Sequence, residues 1–172
     1  MSYIIRLDDR LIHGQVVEGW IKPLNIDTLV VCSDSICNDP VAKTLFEISI
    51  PKDVALYCLS IEETSNEILK SSYTKHNVLI LISSLKDLYE LVSKVLQKEK
   101  NFVFPMINIG GIRYISGRKQ IYKALYLNKE DFELMSALIN MGVELEYSVL
   151  PTEEKIILRE KIDKIKQILE NE

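Results

Sequence analysis

Seven short runs rich in apolar and β-branched residues recur along the chain, at 3–6, 28–32, 55–59, 78–82, 102–108, 120–125 and 144–149. Helix-patterned stretches at 14–24, 39–48, 61–69, 85–96, 129–141 and 151–169 separate most of them. This alternation constrains the fold more than any other feature, because strands joined through helices pair in parallel. Several runs, Val78 to Ile82 above all, are apolar at consecutive positions, as strands covered on both faces require. The expectation is an α/β fold: a single domain over 1–172, with a mostly parallel central sheet of about seven strands and helices on both faces. Caps support the helix starts: Asn38-Asp39-Pro40 precedes one helix and Asn128-Lys129-Glu130-Asp131 another, and Met141-Gly142 marks a stop. In the helix at 39–48, Val41, Leu45 and Ile48 share one face. The last segment, 152–172, reads as a charged helix that packs either on the sheet or on a second copy in a homodimer.

A chain of 172 residues can bury one substantial core, and its 47% apolar content argues against disorder. The net charge of −4 and scattered basic residues argue against nucleic acid as a partner. The longest apolar stretch is too short to span a bilayer, and no secretory signal is evident at the N-terminus. Cys32, Cys37 and Cys58 have no zinc spacing; Cys32 and Cys58 are expected as buried thiols in a reducing cytoplasm.

On this scaffold, Asp8-Asp9-Arg10-Leu11-Ile12-His13-Gly14-Gln15 joins the first strand to the first helix. Such a junction lies at the carboxyl edge of the sheet, where ligands bind. An imidazole that is partly unprotonated near neutral pH can attack phosphorus. Arg6 and Arg10 flank the loop and could clamp phosphate oxygens. The amides of Gly14, Gln15 and Val16 would add donors at a helix start. His13 is therefore a candidate to carry a phosphoryl group; a satisfied loop histidine is the plain alternative. Asp8 and Asp9 could orient the histidine or an arginine, or simply shape the turn; no carboxylate or histidine cluster points to a metal.

A second constellation, Asn108-Ile109-Gly110-Gly111-Ile112-Arg113, should follow the fifth strand to the same edge. There Gly110 and Gly111 permit positive φ or close backbone approach. Arg113 could supply another positive group, and a solvated loop arginine is at least as good a reading. Ser33-Asp34-Ser35, Ser60 and Ser83-Ser84 end strands and are better helix caps than phosphate ligands. Trp20 and Tyr57 read as core or partner-facing aromatics, and His76 as a solvated residue in the loop Tyr73-Thr74-Lys75-His76-Asn77. No Walker loop, GxGxxG or GxSxG motif occurs.

The stretch Ile5-Arg6-Leu7-Asp8-Asp9-Arg10-Leu11-Ile12-His13-Gly14-Gln15-Val16 resembles the active-site loop of IIB components of the mannose/fructose/sorbose family of the bacterial phosphotransferase system. Asn38-Asp39 with Lys43-Thr44-Leu45 and Pro51, then Asn108-Ile109-Gly110-Gly111, Gly117-Arg118-Lys119-Gln120-Ile121 and Leu127-Asn128-Lys129-Glu130-Asp131, are similar to later parts of the same family. The resemblance covers nearly the whole chain, in order; the C-terminal segment 152–172 is longer and more charged than it leads one to expect.

The resemblance implies a sugar phosphotransferase. A IIA protein would donate a phosphoryl group from its phosphohistidine to Nδ1 of His13, and the group would pass to a sugar moved by membrane IIC and IID partners. Arg6 and Arg10 take the place of the family's phosphate-supporting arginines, and Asp8 and Asp9 belong to the same motif. Exchange between near-equivalent P–N bonds needs no cofactor or metal. The expected location is the cytoplasm, with peripheral attachment to the membrane through the permease. Because the histidine loop starts near residue one, the donor is expected to be a separate IIA protein. The partner face should use Leu11 and Ile12, read as exposed. A regulatory relative that is phosphorylated without serving a sugar is the alternative. A nucleotide-dependent transferase is opposed by the missing phosphate-binding glycine loop.

Overall fold

The computed structural model describes residues 3–70, 72–73 and 75–171. Strands β1 (Tyr3–Asp8), β2 (Thr28–Cys32), β3 (Ala55–Leu59), β4 (Val78–Ile82), β5 (Ile107–Gly111), β8 (Leu145–Tyr147) and β9 (Ile156–Ile157) form one sheet, in the order β3-β2-β4-β1-β5-β8-β9. Every pairing is parallel except β8 with β9. Strands β6 (Lys119–Tyr122) and β7 (Leu125–Leu127) make a separate antiparallel hairpin. The sheet thus has the expected number of strands with a different membership. The run at 120–125 bends back at Lys123 and Ala124 instead of continuing as one strand, and β9 takes its place in the sheet.

Alternate strand residues feed two cores. Ile5, Leu7, Val30, Cys32, Ile80 and Ile82 face α3 (Ile61–Leu69), α4 (Leu85–Lys98), α5 (Lys129–Asn140) and α6 (Ile162–Glu170). On the opposite side Leu29, Val31, Leu79 and Leu81 meet Val16, Trp20 and Ile21 of α1, which runs in α geometry over Gly14–Val16 and in π geometry over Val17–Ile21. Ser60 caps α3, Ser84 caps α4, and Asn128 and Asp131 close a capping box on α5, which satisfies helix-end amides.

Three local readings are corrected. Residues 102–106 are irregular and β5 begins only at Ile107, because Pro105 offers no ladder donor. The helix expected at 151–169 is broken: Ile156–Ile157 pairs with β8, Leu158–Lys161 is a 3-10 turn, and only Ile162–Glu170 is α-helical. Its Ile165 and Leu169 enter the chain's own core. In α2 (Pro40–Ser49), Val41, Leu45 and Ile48 lie exposed, while Phe46 packs on the α1 side. The apolar stripe of that helix therefore faces away from the sheet. Cys32 is buried and Cys58 half-buried on the edge strand. Of the loop at 73–77, Thr74 lies outside the described residues, as does Glu172 at the end of the last segment.

This topology places the histidine loop. Strand β1 leads to α1 on one face, whereas its neighbours β4 and β5 lead to α4 and α5 on the other. Connections that part in this way open a crevice at the carboxyl ends of the strands, the usual ligand position in a doubly wound sheet.

Candidate active site

Asp8, the last residue of β1, is the hub of the loop and is fully buried. Its Oδ2 accepts from Arg6 Nη2 at 2.9 Å and meets His13 Nε2 at 3.1 Å. Its Oδ1 accepts from the Arg10 amide at 3.2 Å and lies 3.5 Å from Arg10 Nε. The chain then turns tightly: the Leu11 amide donates to the Asp8 carbonyl at 2.9 Å, and Leu11 adopts φ 54°, rare for a residue with a side chain. His13 follows in extended conformation at the N-cap of α1, where its side chain makes no capping bond and reaches back to Asp8 instead.

With Nε2 directed at a carboxylate, the neutral ring carries its proton there and its lone pair on Nδ1. No hydrogen bond engages Nδ1 among the described residues. The amides of Gly14 and Gln15 are likewise without protein partners there, while the Val16 amide is turned to the His13 carbonyl at 2.9 Å. Arg10 is the accessible cation: its side chain is 40% exposed and its Nη2 donates to Gln15 Oε1 at 3.2 Å. Burial pushes the Asp8 carboxyl up, but the His13 hydrogen bond and the Arg6 charge outweigh it and hold it below the usual carboxylate range.

Arg6 stands behind this site, not beside the histidine at the surface. It is wholly buried, with Cζ 4.5 Å from the centre of the Trp20 ring. Its Nη1 donates to Asn108 Oδ1 and, at 3.3 Å, to the Ser148 carbonyl. Asn108 Nδ2 donates to Ser148 Oγ at 2.9 Å and approaches Glu146 Oε1 at 3.4 Å. Local sequence gives no reason to join Arg6 to Asn108; they meet because β1 lies beside β5 with Arg6 opposite Asn108. Glu146 and Ser148 alternate with apolar residues along the run at 144–149, a pattern that marks a polar face without showing that it lies inside.

The glycine pair lies within β5 and not beyond it. Neither glycine has positive φ; what is used is close approach. The β1–β5 register slips between Leu7 and Asp8, so Gly110 bulges, and the Arg6 guanidinium fills the space its missing side chain leaves. Asp9 fastens the segment that follows: its Oδ2 accepts from the Arg113 amide at 2.8 Å and from Arg113 Nε at 3.0 Å.

A buried carboxylate holding one nitrogen of a half-buried histidine, with a cation and free helix-end amides nearby, suits phosphoryl chemistry. The family described as "PTS system sorbose subfamily IIB component" matches residues 2–172. The chain belongs to that family.

Relatives match this IIB component over more than nine-tenths of its length. The sorbose-specific EIIB component of Klebsiella pneumoniae is 29% identical over 160 residues, covering 93% of this chain and 94% of that one. The mannose-specific EIIAB component of Escherichia coli K12 is 30% identical over 162 residues, 94% of this chain but 48% of that longer protein. The crystal structure of the IIBSor domain of the sorbose permease from Klebsiella pneumoniae superposes with a TM-score of 0.80 at 28% identity, covering 95% of this chain and 98% of that one.

Within this IIB component the expected partner face needs correction. Leu11 and Ile12 are buried against Val16, Trp20 and Leu29, because the left-handed turn at Leu11 folds the loop down onto the α1-side core. The exposed apolar side chains next to the loop are Tyr114 and Ile115, which follow the Asp9–Arg113 fastening. His76 is exposed and bonds Asp27, Trp20 is core, and Tyr57 is exposed on the edge strand. Among the described residues no cluster of histidine, cysteine, aspartate or glutamate could hold a metal, and no helix is long and apolar enough to cross a membrane.

Proposed function

We propose that His13 accepts a phosphoryl group from the phosphohistidine of a IIA partner and passes it to a sugar handled by membrane IIC and IID partners, the exchange taking place on the cytoplasmic side. The observation that carries this reading is the Asp8–His13 hydrogen bond, which occupies Nε2 and leaves Nδ1 as the nucleophile. The Nδ1 lone pair attacks phosphorus, and the donor's P–N bond breaks with its electron pair returning to the donor ring. In the second transfer a sugar hydroxyl oxygen attacks, the His13 P–N bond breaks, and the hydroxyl proton goes to the departing imidazole. Arg10 and the amides of Gly14 and Gln15 neutralise charge on the transferred group. Asp8 holds the ring and balances the imidazolium. Arg6 acts on Asp8 from behind.

The test is labelling with phosphoenolpyruvate, the general phosphotransferase proteins and a IIA partner, with wild type beside His13→Ala. We expect acid-labile, base-stable label on wild type and none on His13→Ala. No label on wild type with a competent donor would overturn the reading in favour of a binding or regulatory role.

The mannose-specific EIIAB relative combines the two components in one name, which supports a IIA donor for this chain. Tyr114 and Ile115 are proposed as the donor-facing patch. Tyr114→Asp should lower donor-dependent labelling at least about tenfold, the scale of a contact worth about 1.4 kcal/mol. An unchanged rate at limiting donor would remove that patch from the interface. Leu11→Asp would not serve, since it places a charge in the core.

A further inference from the structure

Four side chains stand in line behind the histidine: Glu146, Asn108, Arg6 and Asp8. All four are buried to within a few per cent of their surface. Each fixes the next. The Asn108 amide group donates toward Glu146 and Ser148, so its carbonyl oxygen must face the other way, onto Arg6 Nη1. A guanidinium is planar and rigid, so anchoring Nη1 sets the direction of Nη2. Nη2 in turn holds Asp8 Oδ2, the oxygen that also holds His13 Nε2. The Trp20 ring flanks the guanidinium and Gly110 leaves the space it occupies, so Arg6 has no second place to go. Lys155 meets Glu146 Oε1 at 3.0 Å from the surface side and completes the charge balance of the row.

A network that only filled the core would be less polar, since a buried ion pair is often no more stabilising than apolar side chains of the same volume. Here the row ends on the one atom whose protonation decides which histidine nitrogen is free. Resting on the phosphocarrier reading of His13, we propose that Asn108 is a positioning residue for phosphoryl transfer, acting through Arg6 and Asp8 to keep the neutral His13 ring protonated on Nε2. Without its carbonyl, Nη1 keeps only the longer bond to the Ser148 carbonyl at 3.3 Å, and the guanidinium tilts within its pocket; Asp8 then loses its fixed direction, and the proton redistributes between the two ring nitrogens.

The experiment uses the full chain labelled with 15N-histidine, in buffer alkaline enough for neutral imidazole. His76, the other histidine, lies in the loop before β4 and serves as an internal control. In wild type the His13 proton should reside on Nε2. In Asn108→Leu the share on Nδ1 should rise several-fold, with the His76 signals unmoved. Donor-dependent labelling should slow about 10- to 100-fold, the scale known for residues hydrogen-bonded behind metal ligands, with the donor KM unchanged. Leu138→Ala, a core change remote from the row, controls for lost stability and should leave the tautomer as in wild type. Combining Asn108→Asp with Glu146→Gln moves the carboxylate one place along the row and keeps an acceptor on Arg6; it should restore labelling to within several-fold of wild type. Should Asn108→Leu fail to fold, Asn108→Ser is judged by the same criteria, since its side chain is too short to reach Arg6. A folded Asn108 variant with wild-type tautomer and rate would overturn the proposal. Wild type that takes no label would overturn the phosphocarrier reading instead.

Discussion

Gly110→Ala should destabilise the protein by about 4 kcal/mol and abolish labelling of His13. A Cβ at this position would lie 1.9 Å from Arg6 Cζ and 2.0 Å from Nη2. The guanidinium cannot retreat, because it is wholly buried with Trp20 against it and Asn108 and Asp8 on its two amino groups. Overpacking of this kind costs about 1–3 kcal/mol, and separating a buried ion pair about 3–5 kcal/mol. Partial relaxation of the bulge brings the expectation to the lower end of that sum. Gly111→Ala is the matched control: its Cβ would meet only Ala124 and Asp8 at 3.7 and 3.8 Å, ordinary contact distances. It should cost no more than about 1 kcal/mol. Urea unfolding followed by the fluorescence of Trp20, the single tryptophan, reads both variants. A Gly110→Ala midpoint equal to that of Gly111→Ala would mean that Arg6 is not held where the structure puts it.

The parts of the fold that the sequence discloses are those whose burial is uniform. β2 and β4 begin and end where their apolar runs do, because a parallel strand covered on both faces has no polar positions to blur its limits. Where a segment is covered on one side only, periodicity misleads. Ile156 and Ile157 fit a helix stripe as well as a short antiparallel strand, and the competition is decided by the free edge of β8. Val41, Leu45 and Ile48 have helical spacing without being core, since Phe46 is the residue that packs.

The histidine loop was legible for a different reason: its residue types are concentrated in eight consecutive positions. The row behind it was not. Asn108, Glu146 and Ser148 join Arg6 from more than a hundred residues away, through strand order that no local pattern encodes. Closeness along the chain hid the difference between the two arginines, because β1 ends between them. Arg6 shares a strand face with Asp8 and goes inside, whereas Arg10 lies past the turn and stays at the surface.

Asp8→Asn tests the hub itself and should slow labelling of His13 on the order of 10³-fold or more, as loss of a histidine-orienting carboxylate does elsewhere. The amide cannot replace the carboxylate in either orientation. With its NH2 toward Arg6 and His13, a donor opposes Arg6 Nη2 and the ring must turn its lone pair to Nε2, leaving the proton on the attacking nitrogen. With its oxygen there, the NH2 opposes the Arg10 amide and the turn at Leu11 loses its anchor. In both cases the buried Arg6 charge loses its counter-ion, at a cost of about 3 kcal/mol. The sign of the pH dependence follows. The Asp8 carboxyl is held below its unfolded value, so its stabilisation is fully present above about pH 4 and is lost as the pH falls through the lower folded value. The stability gap between wild type and Asp8→Asn should therefore be widest near neutral pH and close in acid, because only wild type has a carboxylate there to protonate. A gap that stays constant down to pH about 2 would show that the charge of Asp8 is not what holds the loop, and a labelling rate close to that of wild type would show that it does not set the histidine.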